Sequence, residues 1–302
     1  MAIAELFRYI EKLQVKSGEK VSLKKHETDY DHKMMDKAEG EALLKLGVER
    51  LSALQDKLYA DNRYRVLIIL QAMDAAGKDG VIKHVMSGLN PQGVKVNSFK
   101  APTMTELDHD YLWRHEIALP PRGEIGIFNR SHYENVLVTR VHPEFILNEN
   151  LPGIKTVKNI DDNFWEKRMV QINRFEKNLT ENGTVVMKFF LHVSKKEQKK
   201  RLLERINDPS KNWKFSIGDL HERALWDKYM DAYEKMLTAT AQKNAPWYIV
   251  PADDKWFARV AIAAIIYKTL EQLDMSYPVL TAKQTEELNH AKEILTKEKK
   301  QP

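Results

Sequence analysis

The sequence predicts an α/β protein: a three-layer α/β/α sandwich on a five-stranded parallel sheet. Three observations lead there. Five short apolar runs rich in β-branched and aromatic residues recur between Arg65 and Ala252. Helix-like segments separate each run from the next. The first run holds five consecutive apolar residues, Val66 to Leu70, rather than alternating, as suits a strand covered by helices on both faces.

The elements follow in order. Residues 1 to about 60 read as helical and polar. "MAIAELFRYIEKLQ" mixes charged with apolar residues, which marks an amphipathic helix rather than a signal peptide. "EGEALLKLGVERLSALQDKLY" carries the clearest 3.6-residue period. The strand runs are "RVLIILQA" (Arg65 to Ala72), "VKVNSF" (Val94 to Phe99), "GEIGIFN" (Gly123 to Asn129), "TVVMKFFLHV" (Thr184 to Val193) and "WYIVPA" (Trp247 to Ala252). Turn signals "NPQG", "PPRG" and "NG" precede the second, third and fourth. The stretch after about Tyr277 is polar and rich in Lys and Glu, a loosely attached helix or a partly disordered tail.

Composition narrows the function. The chain has 302 residues, 43% of them hydrophobic, and no cysteine. Disulfides, thiolate zinc sites and cysteine nucleophiles are excluded, and a cytoplasmic place fits. The longest apolar runs, "VLIIL" and "VAIAAIIY", fall far short of the roughly 18 residues of a membrane span. Net charge is only +5, but Lys188 to Lys214 holds nine Lys and Arg against three acids. That excess fits a polyanionic partner, or a solvated helix face.

In a parallel sheet, ligands bind at the carboxyl ends of the strands. The unusual polar stretches sit there: "MDAAGKDG", "KAPT", "NRSHYE", "SKKEQKKR" and "ADDK" each follow a strand run. The first resembles a phosphate-binding loop, G-x-x-x-x-G-K-[ST], with two departures. Gly77 and Lys78 stand in place, but Ala72 replaces the first glycine and Asp79 the hydroxyl that normally holds Mg²⁺. Asp74 is the hard oxygen ligand expected to take over the metal. Asp79 has no evident role.

The third strand run ends in Asn129, followed by Arg130 as an anion clamp and Glu134 one turn on. Ser131 and Glu134 also fit a capping box. Farther along, "RINDPSKNWKFSIGDLHERALWDKY" is a basic helix, a break and a second helix beginning near Asp219, the pattern of a lid that closes over phosphates. Trp213 is a candidate nucleotide contact; the other tryptophans read as core. His26, His32, His109, His115 and His132 lack a zinc spacing and read as core or surface residues.

Together "DAAGKDG", "GLNPQGV", "DYLWRHEIALPPRGEIGIFNRSHYE" and "DPSKNWKFSIGD" resemble the polyphosphate kinase 2 family over about Lys24 to Tyr277. The form "FNRSHYE" is similar to the subgroup called class III; other subgroups usually carry Asp at the Asn129 position and Trp at the His132 position. The resemblance implies a thymidylate-kinase-like P-loop fold with a helical lid. It divides the chain into an N-terminal helical extension (1–60), a P-loop kinase core (61–277) with a lid at about 196–220, and a polar tail (278–302). It implies reversible phosphoryl transfer between inorganic polyphosphate and adenine or guanine nucleotides, taking AMP to ADP and ADP to ATP, with Mg²⁺ or Mn²⁺. Assembly as a homodimer or homotetramer is also implied, with no nucleic-acid or membrane partner.

The site expected on this resemblance has Asp74, Lys78, Asn129 and Arg130 as catalytic residues, Asp74 holding the metal. Ala75, Ala76, Gly77, Lys78, Asp79, Gly80, Lys83, Arg130, Arg201 and Arg205 would bind phosphate and polyphosphate. Arg122, Asn129, Glu134, Trp213 and Lys214 would bind the nucleotide. The attacking nucleotide oxygen is already anionic, so catalysis needs charge and positioning rather than a general base. Two other readings remain at this point: an ATP-dependent nucleoside monophosphate kinase, and a basic nucleic-acid-binding protein.

Overall fold

The computed structural model describes residues 3–31 and 35–298, so His32 lies outside the described residues. Its strands are β1 (Arg65–Ala72), β2 (Val94–Ser98), β3 (Ile125–Asn129), β4 (Thr184–His192) and β5 (Trp247–Pro251). All pair in parallel, in the order β2-β3-β1-β4-β5. The helices used below are α1 (Ile3–Lys12), α2 (Lys37–Asp61), α3 (Lys78–Val85), α4 (Asp162–Glu181), α5 (Lys195–Asn207), α6 (Ile217–Ala224), α7 (Trp226–Thr240), α8 (Lys255–Glu271) and α9 (Ala282–Lys297).

Each strand falls on the run that predicted it. β1 lies at the centre, and Val66 to Ala72 are all buried. Its neighbours β3 and β4 lie on opposite sides of it, so the connections diverge at β1 and leave a crevice at its carboxyl end. Register brings Leu70 beside Asn129, which sets the ends of β1 and β3 level. β2 differs from the expectation of a strand covered on both faces. It is an edge strand with Lys95, Val96 and Ser98 exposed.

Helix α8 carries the apolar run "VAIAAIIY" and is buried nearly all round, as an evenly apolar helix must be. The sheet lies under it, and α1 and α2 pack over it. Gly40 is required at one such crossing, because a Cβ there would sit 2.4 Å from the ring of Trp256. Leu6, Ile10, Leu13, Val15, Leu51 and Leu58 from the N-terminal region join the same apolar core as the strands. The chain also covers the β5 edge: Val15 N donates to Trp247 O (2.9 Å) and Ile249 N to Leu13 O (2.8 Å). Helix α9 has no buried residue. No helix among the described residues is long and apolar enough to cross a membrane.

Lys188 was counted above in the basic stretch, but it lies in the middle of β4 and is fully buried. It adds nothing to the surface charge.

Candidate active site

Two loops, after β1 and after β3, meet over the crevice. The first leaves β1 at Ala72 and turns through Ala75 (φ 61°) and Gly77 (φ 114°) before α3. Glycine accepts this left-handed geometry freely, whereas Ala75 adopts it at a cost of roughly 1–2 kcal/mol. At the second loop Arg130 has φ 62°. Non-glycine residues in this region concentrate at functional sites, where surrounding contacts hold them.

Those contacts are visible. Arg201, from α5, is 3% exposed and spends its whole guanidinium on the protein. Nε donates to Glu197; Nη1 donates to the carbonyls of Ala75 (3.2 Å) and Ala76 (2.7 Å); Nη2 donates to those of Ala252 (2.6 Å) and Asp253 (2.8 Å). A trans peptide holds C=O and N–H antiparallel. Drawing the Ala76 carbonyl toward Arg201 therefore turns the Gly77 N–H the other way, out of α5. The neighbouring Gln198 Nε2 donates to Asp74 O (3.0 Å).

Arg201 therefore corrects the sequence reading. It was expected to bind phosphate as a lid arginine, but its five N–H groups are all engaged in shaping the loop. Arg205, one turn farther, is half-buried and faces Asp219 at 3.5 Å.

Lys78 opens α3 and donates from Nζ to Ala72 O (2.9 Å). Burial pushes its pKa down, against the upward pull of Asp74. Arg130 Nη2 donates to Asp74 Oδ1 (3.0 Å). Burial raises the Glu134 pKa, opposed by Arg130 and Lys78. Asp74, Arg130 and Glu134 line a cavity of about 160 Å³ together with Met73, Leu137, Val138, Glu222, Tyr229 and Tyr233. Asp79 also has a partner: Asn129 Nδ2 donates to its Oδ1 (2.9 Å).

Other expected site residues lie elsewhere. Arg122 is exposed and lines a cleft with Arg65, the first residue of β1, at the opposite end of the sheet. Its turn precedes β3, so a parallel strand carries it away from the site, and the nucleotide role expected for Arg122 is not supported by its position. Trp213 is 78% exposed at the tip of the α5–α6 connection, with Lys214 Nζ 5.0 Å from its ring. Lys83 is exposed on α3, and Gly80 lies where a Cβ would be 3.4 Å from Arg259 of α8. The expected capping box does not form. The segment is a 3₁₀ turn, and Ser131 Oγ accepts from the nearer Tyr133 N (3.2 Å) and from Gln71 Nε2 (3.0 Å).

Sequence reasoning missed Glu222, Tyr229 and Tyr233, which come from α6 and α7. Glu222 Oε2 accepts from Tyr229 OH (2.6 Å) and pairs with His142 Nε2 (2.9 Å), tying α6 to α7 and to the turn at His142. No spacing rule links these positions to β1. The only hint was the aromatic content of the segment after the lid.

The ends of β1 and β3 thus bring together a lysine at a strand-to-helix turn, an arginine and a carboxylate. A family model described as Polyphosphate kinase 2 matches residues 34–278. The chain belongs to the polyphosphate kinase 2 family. It is 53% identical over 284 residues to the ADP-polyphosphate phosphotransferase of Rhodopseudomonas palustris, covering 94% of this chain and 97% of that one. It is 44% identical to the AMP/ADP-polyphosphate phosphotransferase of Meiothermus ruber, covering 89% and 96%. The crystal structure of Polyphosphate Kinase 2 from Arthrobacter aurescens TC1 superposes with a TM-score of 0.83 at 42% identity, covering 93% of this chain and 96% of that one. The P-loop kinase fold expected of the polyphosphate kinase 2 family is thus the fold observed.

The family's chemistry calls for a divalent metal. Among the described residues no group of three or more His, Cys, Asp or Glu could hold one. Asp74 nevertheless suits a hard cation. It is half-exposed in the cavity, and its Oδ2 takes no hydrogen bond from the described residues. Mg²⁺ is commonly held by one or two carboxylates with substrate phosphates and water completing the shell, so the donor set fits.

Proposed function

We propose that this chain is a polyphosphate-dependent nucleotide kinase that transfers the terminal phosphoryl group of inorganic polyphosphate to nucleoside mono- and diphosphates, reversibly. The observation that carries the reading is the approach of Lys78, Arg130 and Asp74 at the ends of β1 and β3, in a chain of the polyphosphate kinase 2 family. The relatives' names, ADP- and AMP/ADP-polyphosphate phosphotransferase, support the substrate pair.

In this reading a phosphate oxygen of the nucleotide attacks the terminal phosphorus of the chain. A new P–O bond forms, the bridging P–O bond breaks, and the shortened polyphosphate leaves with the electron pair. No proton moves, so no general base is needed. Two polyanions must meet, and the protein's task is to offset charge and align them. Lys78 and Arg130 face the transferring group. The backbone N–H groups at the start of α3 cradle the donor phosphates. Arg205 closes over them with the lid. Mg²⁺ held by Asp74 and phosphate oxygens would offset part of the negative charge. Glu134 at the cavity and Asn129 at the end of β3 bear on the nucleotide. Assembly as a homodimer or homotetramer and a cytoplasmic place belong to the same proposal.

Incubating the protein with AMP or ADP, Mg²⁺ and long-chain polyphosphate, without ATP, tests the reading. ADP and ATP are the expected products. Product that forms only when ATP is the donor overturns it in favour of an ordinary nucleotide kinase.

A further inference from the structure

Beneath the Arg130 turn lies a closed set of buried polar groups that the transfer reaction does not use. Lys188, in mid-β4, is fully buried, as is Glu176 of α4. Lys188 Nζ donates to Glu176 Oε2 (2.5 Å), Tyr133 OH (2.9 Å) and Thr240 O (2.8 Å), which uses all three of its protons. Glu176 Oε1 accepts from Tyr133 OH (2.7 Å) and lies 3.2 Å from His132 Nε2. An ionised carboxylate has no proton to give, so His132 carries hydrogen on Nε2. Burial lowers the His132 pKa, against the upward pull of Glu176.

The arrangement reads directly onto the site. Ser131, His132 and Tyr133 lie between Arg130 and Glu134. Arg130 and Glu134 line the cavity, while His132 and Tyr133 point into the core, and both end on Glu176. The segment His132–Val136 is a 3₁₀ turn, whose own hydrogen bonds are weaker than those of an α-helix. Arg130 holds a left-handed backbone that it would not choose by itself. Groups outside the turn therefore fix its attitude: Gln71 holds Ser131 and Asp74 meets Arg130, while Glu176 takes His132 and Tyr133 and Lys188 acts through Tyr133. A buried ion pair is a poor way to gain stability, since apolar residues of similar size often serve as well or better. Its directional value is greater: the five donor–acceptor contacts permit one orientation of the turn.

We propose that Glu176 and Lys188 are positioning residues, which through His132 and Tyr133 aim Arg130 at the transferring phosphoryl group. The proposal rests on the phosphoryl-transfer reading above. The two fail separately: wild-type protein that makes no product from polyphosphate defeats that reading, whereas active wild type with indifferent variants defeats this one.

The test is the paired substitution Glu176→Gln with Lys188→Met, which removes both charges together and leaves none unpaired. Turnover of ADP with polyphosphate and thermal midpoint are measured in parallel. The expected result is a folded protein with a midpoint near wild type, kcat lowered by about tenfold or more, and KM for ADP within about twofold. A cycle with Arg130→Lys supplies a readout that a merely structural role would not move. Arg130→Lys should lower kcat much less in the paired variant than in wild type, because the aim is already lost. A wild-type kcat in the folded paired variant, or effects that simply multiply, overturns the proposal. If the paired variant does not fold, Tyr133→Phe decides on the same measurements, since it deletes one hydroxyl and leaves the ion pair. A several-fold fall in kcat at unchanged KM supports the proposal, and a wild-type kcat ends it.

Discussion

Asn129 donates its side-chain N–H to Asp79 across 2.9 Å. The amide at the end of β3 thus holds the carboxylate that stands where phosphate-binding loops carry a hydroxyl. Asp79 gains the partner that the sequence left blank. Asn129→Asp would set two carboxylates against each other at hydrogen-bond distance. It should lower kcat/KM by roughly tenfold, the equivalent of ~1.4 kcal/mol. The exchange Asp79→Asn with Asn129→Asp restores a donor and an acceptor and should recover most of that loss. Initial rates for the two single variants and the exchange check it.

Arg201 and Arg205 lie one helical turn apart and should fail in different ways. Arg201→Ala leaves four carbonyls of the loop and of β5's end without their donor. Each buried acceptor left unpaired costs about 1–3 kcal/mol. A loss of about 3 kcal/mol overall would lower the thermal midpoint by roughly 6–12 °C in a domain of this size. Arg205→Ala removes a half-buried lid cation and should leave the midpoint within about 2 °C while lowering kcat by about tenfold or more. Thermal melts beside turnover separate the two.

Lys78 sets an alkaline limit. Its charged form is the one that serves the phosphates, and burial pushes its pKa below the ordinary lysine value of 10.5. Deprotonation therefore begins at a lower pH than for an exposed lysine, and kcat/KM should fall on that limb. Bound phosphates favour the ammonium form, so the limb in kcat should lie at higher pH than the limb in kcat/KM. Lys78→Ala should retain the fold and lose about 100-fold or more in kcat. Rate profiles from neutral to alkaline pH, with melts at each value, check both.

The proposed metal site at Asp74 makes turnover depend on this carboxylate. Chelation with EDTA should abolish turnover and added Mg²⁺ should restore it. Asp74→Asn keeps an oxygen but loses the charge, and it should raise the Mg²⁺ concentration for half-maximal rate by about tenfold or more. Rates against free Mg²⁺ for wild type and variant measure the shift. An unchanged requirement would place the metal elsewhere.

The legible part of the site was the part contiguous in sequence. "DAAGKDG" and "NRSHYE" each follow a strand, and the rule that ligands gather at strand ends brings Asp74, Lys78, Asn129 and Arg130 together. Arg122 misled because a motif was read without its strand's direction: it precedes β3 and lies at the far end. Lys188 misled because charge counting assigns a lysine to the surface, whereas Glu176, Tyr133 and Thr240 make it a core residue.

The sequence by itself determined the sheet, its parallel sense, the family and the position of the loop that follows β1. Those follow from periodicity and from residues adjacent along the chain, and both survive in one dimension. Only the tertiary structure decided that Arg201 bonds the loop's carbonyls, that Asn129 holds Asp79, and that Glu222, Tyr229 and Tyr233 wall the cavity. Those outcomes depend on which donor meets which acceptor across 50 to 150 residues of chain. An arginine's spacing states its charge, but only the packing around it states where its five protons go.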